Sequence, residues 1–298
     1  MTAVNTVVAG ASGAANTLSA SLQTAARTLS SRSESPRLDA ELLLCKVLAL
    51  PRSALIVRGT EFISDDHGRA YEDLIARRLA GTPVAYLTGK REFWSLELDV
   101  TPDVLVPRPE TEILVELALA RLPENQMRSV LDLGTGSGAI ALAIAIERPL
   151  VRMTGVDVCE RALAVAMTNA RKAVLDPSSA RIHWRAGSWF DAVPDQRFDM
   201  IVANPPYIAS NDPALTQLTA EPQLALCSGR TGLEALGEIV KGAAAHLNPN
   251  GWLILEHGNL QAEAVAGMLQ RLNFSDIHSQ ADLTGNPRIT LGSAPPPL

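Results

Sequence analysis

The sequence predicts an α/β protein whose main domain is a doubly wound, mostly parallel seven-stranded sheet, preceded by a small helical bundle. Two observations predict the sheet. Short apolar runs alternate with helical segments from residue 129 onward, and a glycine-rich turn, Gly134–Gly138, follows the first of these runs. The bundle is predicted because residues 16–88 carry amphipathic helical patterns and no comparable pattern of strands.

The N-terminal part contains the predicted bundle. Residues 1–15 are uncharged and rich in small side chains, which predicts a disordered tail. Apolar residues keep helical spacing over residues 17–29. Ser35, followed by a proline, and Ser64 are expected to be the N-caps of two further helices.

Two apolar stretches, 94–100 and 104–106, predict a β-hairpin between the bundle and the main domain. Pro109 is expected to begin the next helix, with Arg108 beside it near the cleft or simply in a charged helix start. The predicted boundaries are 16–88 for the bundle, 89–108 for the hairpin linker, 109–293 for the main domain and 294–298 for a second disordered tail.

Strands and helices alternate through the main domain, which predicts parallel pairing with crossover helices. The predicted strands cover residues 130–133, 152–156, 182–185, 198–203, 252–256, 275–279 and 288–291. The predicted helices cover residues 139–146, 159–172, 234–247 and 261–272. A terminal hairpin is expected to make the last strand antiparallel.

Composition limits the classes of partner. With 47% hydrophobic and 19% charged residues the chain is typical of a soluble globular protein, and its net charge of −6 argues against a broad nucleic-acid surface. Cys45, Cys159 and Cys227 lie far apart and without metal-ligand spacing, which indicates reduced thiols in a cytoplasmic protein and no metal site. No membrane span or signal peptide is evident, and we expect a monomer.

The stretch Asn204-Pro205-Pro206-Tyr207 ends an apolar strand abruptly, because two prolines cannot continue a ladder. The residue before each proline is held extended, so the carbonyls of Asn204 and Pro205 can point outward in fixed directions. The Asn204 amide adds an acceptor, and Tyr207 adds a flat face. Together they predict a cradle for a planar group with an NH2, against the simpler alternative of a proline turn.

The glycine turn and two acids predict a nucleoside-containing cofactor. Gly134, Gly136 and Gly138 permit a tight turn and close approach of a ligand, and Asp157 is placed to bind ribose hydroxyls. The glycine spacing also fits a dinucleotide. Asp132 favours S-adenosylmethionine, since it can bind an ammonium group but would repel a pyrophosphate.

Asp132 to Gly138 combined with Asn204 to Tyr207 resembles the class I amino-methyltransferases. The pieces Arg91-Glu-Phe-Trp-Ser95, Pro107-Arg-Pro-Glu-Thr-Glu112, Glu221-Pro222 and Leu255-Glu-His-Gly258 resemble specifically the bacterial peptide chain release factor N5-glutamine methyltransferases. The resemblance runs from about Leu18 to Leu291. It implies methylation of the glutamine side-chain amide in the Gly-Gly-Gln loop of class I release factors, with S-adenosylhomocysteine as the second product.

The resemblance also implies site residues and a division of labour between domains. The helical domain would help to hold the release factor, and the substrate glutamine would lie at Asn204, Pro205, Pro206 and Tyr207. The cofactor would lie at Asp132, Gly134, Thr135, Gly136, Ser137, Gly138, Asp157, Trp189 and Asn204. Ser188 replaces an acid found in some relatives, which leaves the adenine amine contact open.

Three alternatives remain at this point. A nucleic-acid methyltransferase acting on adenine N6 or guanine N2 would present a similar amine, although it should also carry a basic recognition surface. A cofactor-sensing module would bind without turnover. A dehydrogenase is the most distant alternative, because no hydride-transfer site is evident near the predicted cleft. Glu256 and His257 are expected to be structural.

Overall fold

The computed structural model describes residues 17–173 and 182–295. The chain divides into two compact units, 1–88 and 89–298, which are described separately. The predicted tail 1–15 lies outside the described residues, as do the last three residues of the predicted tail 294–298. Among the described residues, no helix combines the length and the apolar character that a membrane span needs.

The described residues of the first unit form five helices. Its helices are α1 (Leu18–Leu29), α2 (Pro36–Leu48), α3 (Arg52–Val57), α4 (Asp65–Leu79) and α5 (Val84–Thr88). Leucines and isoleucines at helical spacing bury one face of each longer helix, and Leu22, Leu29 and Leu43 are at most 1% exposed. The short helices α3 and α5 were not predicted, because five or six residues are too few to display helical periodicity.

The two predicted helix caps have different outcomes. Ser64 caps α4 and accepts a hydrogen bond from His67 N, as predicted. Ser35 precedes α2, but its side chain accepts no backbone N–H. Its backbone (φ −131°, ψ 58°) lies outside the extended geometry of a capping residue, so the hydroxyl contacts Asp39 Oδ1 instead, at 3.5 Å.

The second unit contains a small hairpin and a large sheet. The hairpin strands are β1 (Lys90–Phe93) and β2 (Leu96–Asp99). The remaining elements are α6 (Thr111–Leu119), β3 (Ser129–Leu133), α7 (Ala139–Glu147), β4 (Arg152–Asp157), α8 (Glu160–Ala173), β5 (Ile182–Ala186), β6 (Phe198–Ala203), α9 (Glu234–His246), β7 (Leu247–Glu256), α10 (Ala262–Arg271), β8 (Ser275–Ala281) and β9 (Pro287–Ser293).

The large sheet has seven strands in the order β5-β4-β3-β6-β7-β9-β8. The first five are mutually parallel, and β9 runs antiparallel to both β7 and β8. The fold class and the antiparallel last strand are therefore confirmed. The connections diverge at β3, with β4 on one side and β6 on the other, and ligands bind at such a switch point beyond the carboxyl ends of the strands.

The hairpin differs from the prediction. The structure puts Trp94 and Ser95 in its tight turn, with φ of 50° and 58°, and residues 104–106 form no strand. The turn was missed because neither residue is a glycine or asparagine, the usual residues at positive φ. Phe93 and Leu98 are each 1% exposed and share a core with α6 and α7, so the hairpin is part of the second unit rather than a separate linker.

Two other boundaries shift. Helix α6 begins at Thr111, two residues after Pro109, because the backbone first makes a separate turn in which Thr111 N donates to Arg108 O. Ala294, predicted to start a disordered tail, is 3% exposed, and its N–H donates to Gly251 O at 2.8 Å. This hydrogen bond to β7 therefore holds Ala294 in place just after the end of β9.

Candidate functional site

A cavity of about 400 Å³ lies at the carboxyl ends of β3, β4 and β6. The turn after β3, Asp157 at the end of β4 and Asn204 after β6 all contribute to its wall. Further lining residues come from Thr111, at the start of α6, and from the segments that connect the named helices and strands: Asp103, Arg108, Ser188, Trp189, Pro206, Pro222, Leu224, Cys227 and Ser228. The cavity therefore forms at the switch point, where the parallel sheet topology favours a ligand.

The glycine turn has two parts with different roles. Gly134, Thr135, Gly136 and Ser137 line the cavity, as predicted for a ligand-binding turn. Gly134 and Gly136 have φ of 72° and 55°, a conformation that residues with a β-carbon adopt only at a cost. The N–H groups of Gly134 and Thr135 both donate to Val156 O, which ties the turn to β4.

Gly138, which was predicted to contact the cofactor, is not among the residues that line the cavity. Its φ is 81°, and an added β-carbon would lie 3.1 Å from Trp184 and 3.2 Å from Ala166. Gly138 is therefore required where α7 begins, because β5 and α8 pack closely there and leave no room for a side chain.

We expect Gly138→Ala to lower the free energy of unfolding by about 2–4 kcal/mol, from a strained backbone and an overpacked contact. Gly136→Ala is the matched control: its φ is also positive, but its added β-carbon meets nothing closer than 3.9 Å. It should cost only about 1–2 kcal/mol. Urea unfolding of both variants measures the difference, and equal losses would contradict the packing argument.

Asp157 is held by the backbone around it. Its Oδ2 accepts from Gly136 N and its Oδ1 from Cys159 N, both at 2.9 Å. Each carboxylate oxygen can accept a second hydrogen bond, so the group keeps acceptor capacity toward the cavity that it lines. Burial raises the pKa of Asp157 above its ordinary value. This geometry suits two adjacent hydroxyl donors such as those of a ribose.

Asp132 differs from the prediction. It is 0% exposed and is not among the cavity-lining residues, so it is not placed for direct contact with an ammonium group there. Its Oδ2 accepts from Thr135 Oγ1 at 2.6 Å, and its Oδ1 has no partner among the described residues. The burial of Asp132 could not be predicted, because the last residues of a buried strand alternate between the two faces of the sheet.

Burial raises the pKa of Asp132 to about 7, which has a consequence for stability. A raised folded-state pKa stabilises the protein below the unfolded value and loses that stabilisation as pH rises through the folded value. Relative to Asp132→Asn, the wild type should lose about 3 kcal/mol of unfolding free energy between pH 5 and pH 8. Urea titrations at both pH values measure this loss.

Asp199→Asn provides the control for that experiment. Hydrogen bonds from Ser129 and Asn248 and the charge of Arg128 outweigh burial and hold the Asp199 pKa below its ordinary value. Asp199 is therefore ionised in both folded and unfolded states from pH 5 to pH 8. Its replacement should change stability equally at the two pH values, and a constant difference for Asp132→Asn would overturn the assignment of a raised pKa.

Trp189 lies beside the glycine turn and lines the cavity. Its ring would be 3.5 Å from a β-carbon at Gly134, and its Nε1 donates to Glu238 Oε2 at 3.0 Å. The φ of Trp189 is 45°, so the backbone is strained where the ring enters the cavity wall. Ser188 also lines the cavity and offers a hydroxyl at the position where, by the family resemblance, some relatives have an acid. The arrangement provides an apolar face next to the ribose-type acceptor of Asp157.

Asn204 lies in the wall of the cavity with one end of its amide satisfied. Its Nδ2 donates to Thr111 Oγ1 at 3.0 Å. Its Oδ1 is buried and has no partner among the described residues. A buried acceptor without a partner is costly, and in a cavity wall it can be satisfied by a ligand that brings an N–H donor. Asn204 is thus suited to the acceptor role that the sequence predicted.

The rest of the tetrapeptide divides into two groups. Pro206 lines the cavity, whereas Pro205 is buried and does not. Tyr207 also does not line the cavity, contrary to the predicted flat face for a ligand. Its hydroxyl donates to Glu256 Oε1 at 3.4 Å, and its carbonyl accepts from Gln261 Nε2 at 3.0 Å. Tyr207 is turned inward because these two partners anchor it beside β7.

Sequence reasoning missed two residues that contact the predicted site. Thr111 is 4% exposed and donates to Glu256 Oε2 at 2.7 Å while it contacts Asn204. Glu256, which was expected to be only structural, therefore accepts hydrogen bonds from both Thr111 and Tyr207. The signal available was the acidic position in Leu255-Glu-His-Gly258, but nothing in the sequence indicates its partner. Arg108, which the sequence placed either near the cleft or simply in a charged helix start, lines the cavity and forms an ion pair with Glu221 at 2.5 Å.

Two family models match the chain. One is described as "PrmC N-terminal domain" and matches residues 20–89, and the other as "Methyltransferase small domain" and matches residues 110–229. The two matches correspond to the helical unit and to most of the cavity-bearing part of the sheet unit.

Curated relatives match over nearly their whole length. The release factor glutamine methyltransferase of Pseudomonas aeruginosa is 47% identical over 87% of this chain and 93% of its own length. The protein of the same name from Burkholderia pseudomallei is 46% identical over 94% of this chain and 99% of its own. A solved methyltransferase from Pyrococcus furiosus shares the fold, with a TM-score of 0.51, 17% identity, and 75% and 99% coverage of the two chains. The chain belongs to the release factor glutamine methyltransferase family.

Proposed function

We propose that this protein transfers a methyl group from S-adenosylmethionine to the side-chain nitrogen of the glutamine in the Gly-Gly-Gln loop of class I release factors. The relatives' shared name supports the substrate class. The observation that carries the chemistry is Asn204, a residue of the cavity wall whose Oδ1 is buried and has no hydrogen-bond partner among the described residues. A neutral carboxamide NH2 is a donor that matches this acceptor.

The residues of the cavity fit S-adenosylmethionine. When bound, the cofactor supplies an electrophilic methyl group on a sulfonium sulfur. Asp157 offers acceptors for ribose hydroxyls, and Trp189 offers an apolar face for the base. Gly134 and Gly136 let a ligand approach the backbone. These roles are proposals that rest on the donor and acceptor inventory of the cavity.

The protein's own contribution is to position a poor nucleophile. The lone pair of an amide nitrogen is delocalised, and no side chain can deprotonate that nitrogen at neutral pH. In this proposal Asn204 Oδ1 accepts one N–H of the glutamine, which orients the nitrogen and increases its electron density. The product proton passes to water, so the reaction needs no side-chain base.

The partner in this proposal is a protein. The net charge of −6 supports a release factor over nucleic acid as the substrate. The helical unit supports a docking role, since Ile56, Val57 and Phe62 are 86%, 85% and 68% exposed. A contiguous exposed apolar patch marks an interaction surface, and we propose that these three side chains form one. We further propose that the protein acts as a monomer in the cytoplasm, where release factors work.

Mass spectrometry tests the proposal. The protein is incubated with labelled S-adenosylmethionine and a purified release factor, and loop peptides are sequenced. We expect one labelled methyl group on the loop glutamine and none on a release factor whose loop glutamine is replaced by alanine. Parallel incubations with ribosomal RNA test the nucleic-acid alternative. Label in RNA, or no label in any substrate despite cofactor binding, would contradict the proposal.

A further inference from the structure

Four side chains, those of Asn204, Thr111, Glu256 and Tyr207, form a chain of hydrogen bonds that leads away from the cavity wall. Thr111 and Glu256 are 4% and 1% exposed. Thr111 Oγ1 donates to Glu256 Oε2 at 2.7 Å and also contacts Asn204 Nδ2 at 3.0 Å. Glu256 Oε1 accepts from the Tyr207 hydroxyl at 3.4 Å. These contacts connect the start of α6, the end of β7 and the loop after β6.

The number of available protons fixes the direction of this chain. An ionised carboxylate only accepts, and a threonine hydroxyl has a single hydrogen. While Glu256 is ionised, that hydrogen is donated to Glu256, and Thr111 can only accept from Asn204. The end of the Asn204 amide that meets Thr111 must then be the NH2. With Glu256 ionised, this assignment follows from the proton count alone.

The free end of the same amide is therefore the oxygen, Oδ1, which has no partner among the described residues. If the amide were rotated by half a turn, Oδ1 would face another acceptor, and the NH2 would face the substrate. A site with that orientation would repel an NH2 group. The orientation of one side chain thus decides whether the cavity wall offers an acceptor or a donor.

We propose that Thr111 and Glu256 are positioning residues that fix the Asn204 amide so that its oxygen, and not its nitrogen, meets the substrate nitrogen. The inference rests on the proposed function, because it assigns the role of Asn204 in that reaction. It selects substrates that present an NH2 and rejects groups that present only acceptors at the same place, since a buried acceptor facing another acceptor is left unpaired.

Protonation of Glu256 would reverse the direction of the hydrogen bonds that join Glu256, Thr111 and Asn204. Burial raises the pKa of Glu256 to about 7. The charged or titratable groups that face it are Tyr207, Glu110 and Arg288. A protonated Glu256 can donate to Thr111, and the threonine hydrogen is then free to point at Asn204. The amide loses its fixed orientation, so turnover should fall as pH decreases through the pKa of Glu256.

The first test compares two substitutions at Thr111. Thr111→Val keeps the shape but removes the hydroxyl, and we expect kcat for release-factor methylation to fall roughly 10–100-fold. Thr111→Ser restores a hydroxyl and should recover activity to within about threefold of wild type. The Kd for S-adenosylmethionine, measured by calorimetry, should change little in both. Wild-type kcat in Thr111→Val would overturn the proposal.

The second test uses the pH profile of kcat/KM for the release factor at saturating cofactor. We expect the wild type to lose activity below about pH 7 as Glu256 takes up a proton. Glu256→Gln has no ionising group and should show lower activity without this acid limb. Asp132→Asn should retain the limb, although burial raises the pKa of Asp132 to a similar value. An unchanged limb in Glu256→Gln would overturn the proposal even if Thr111→Val fails to fold.

These outcomes separate the positioning role from the proposed function. If the wild type does not methylate a release factor, the proposed function fails, and the variants are not needed to show it. If the wild type is active but the Thr111 and Glu256 variants behave like it, the proposed function stands and the positioning role is rejected. A purely structural role would lower stability and leave the pH profile unchanged.

Discussion

Replacing Asn204 with alanine is expected to lower kcat for release-factor methylation by a factor on the order of 10²–10³. The substitution removes the one buried amide oxygen in the cavity wall that has no partner among the described residues. Without it the substrate nitrogen loses an acceptor for one N–H and with it part of its orientation. The Kd for S-adenosylmethionine should change less than about tenfold, because the cofactor retains Asp157 and the glycine turn.

Tyr207→Phe is the contrasting variant. The Tyr207 hydroxyl donates to Glu256 and does not reach the cavity, so its removal leaves the acceptor wall intact. We expect a reduction in kcat of less than about tenfold, consistent with loss of a weak, 3.4 Å hydrogen bond. Single-turnover kinetics with saturating cofactor separates the methyl-transfer step from product release. Equal losses of kcat and of cofactor affinity in Asn204→Ala would count against a role in presenting the substrate.

The sheet was predictable because its strands are buried on both faces. Runs such as Met200 to Ala203 are continuously apolar, and they stop at residues that cannot extend a strand. In a parallel sheet the carboxyl ends of the strands meet at one edge. The position of Asp157 and Asn204 in the cavity wall therefore followed from the order of elements, without knowledge of any contact.

The orientation of single side chains was not predictable in the same way. Asp132 and Gly138 belong to the same glycine-rich segment as Gly134, but neither of them lines the cavity. Asp132 is fully buried, and Gly138 packs against Trp184. Tyr207 follows Pro206 directly but turns away from the cavity, toward Glu256. These directions depend on packing between elements, which no local pattern in the sequence records.

The contact between Thr111 and Glu256 illustrates the limit most clearly. The two residues are 145 positions apart. Their contact depends on how α6 packs at the carboxyl ends of β6 and β7. Neither residue is of an unusual type for its own segment. A threonine in the first turn of a helix and a glutamate at the end of a strand are common in isolation. Only the tertiary structure brings them together behind Asn204, and for that reason the sequence predicted a structural role for Glu256.

Replacing Asp157 with alanine is expected to weaken S-adenosylmethionine binding by about 100-fold. Hydrogen bonds from two hydroxyls to one carboxylate contribute together about 3 kcal/mol, which corresponds to that change in Kd. The same carboxylate also holds Gly136 N and Cys159 N, so its removal loosens the turn that approaches the ligand. Calorimetric titration of the cofactor into the free protein measures the change.

Asp157→Asn sharpens this prediction, because both carboxylate oxygens accept a backbone N–H and an amide can replace only one of them. The asparagine NH2 must face a second donor, so we expect this isosteric variant to lose at least tenfold in affinity, nearer to alanine than to wild type. Asp191→Asn, at a residue that does not line the cavity, should bind normally. At saturating cofactor Asp157→Ala should recover much of its kcat, whereas Asn204→Ala should not. Recovery of kcat in Asp157→Ala but not in Asn204→Ala would assign the Asp157 wall of the cavity to the cofactor and the Asn204 wall to the substrate nitrogen. The same response of kcat in both variants would refute this assignment.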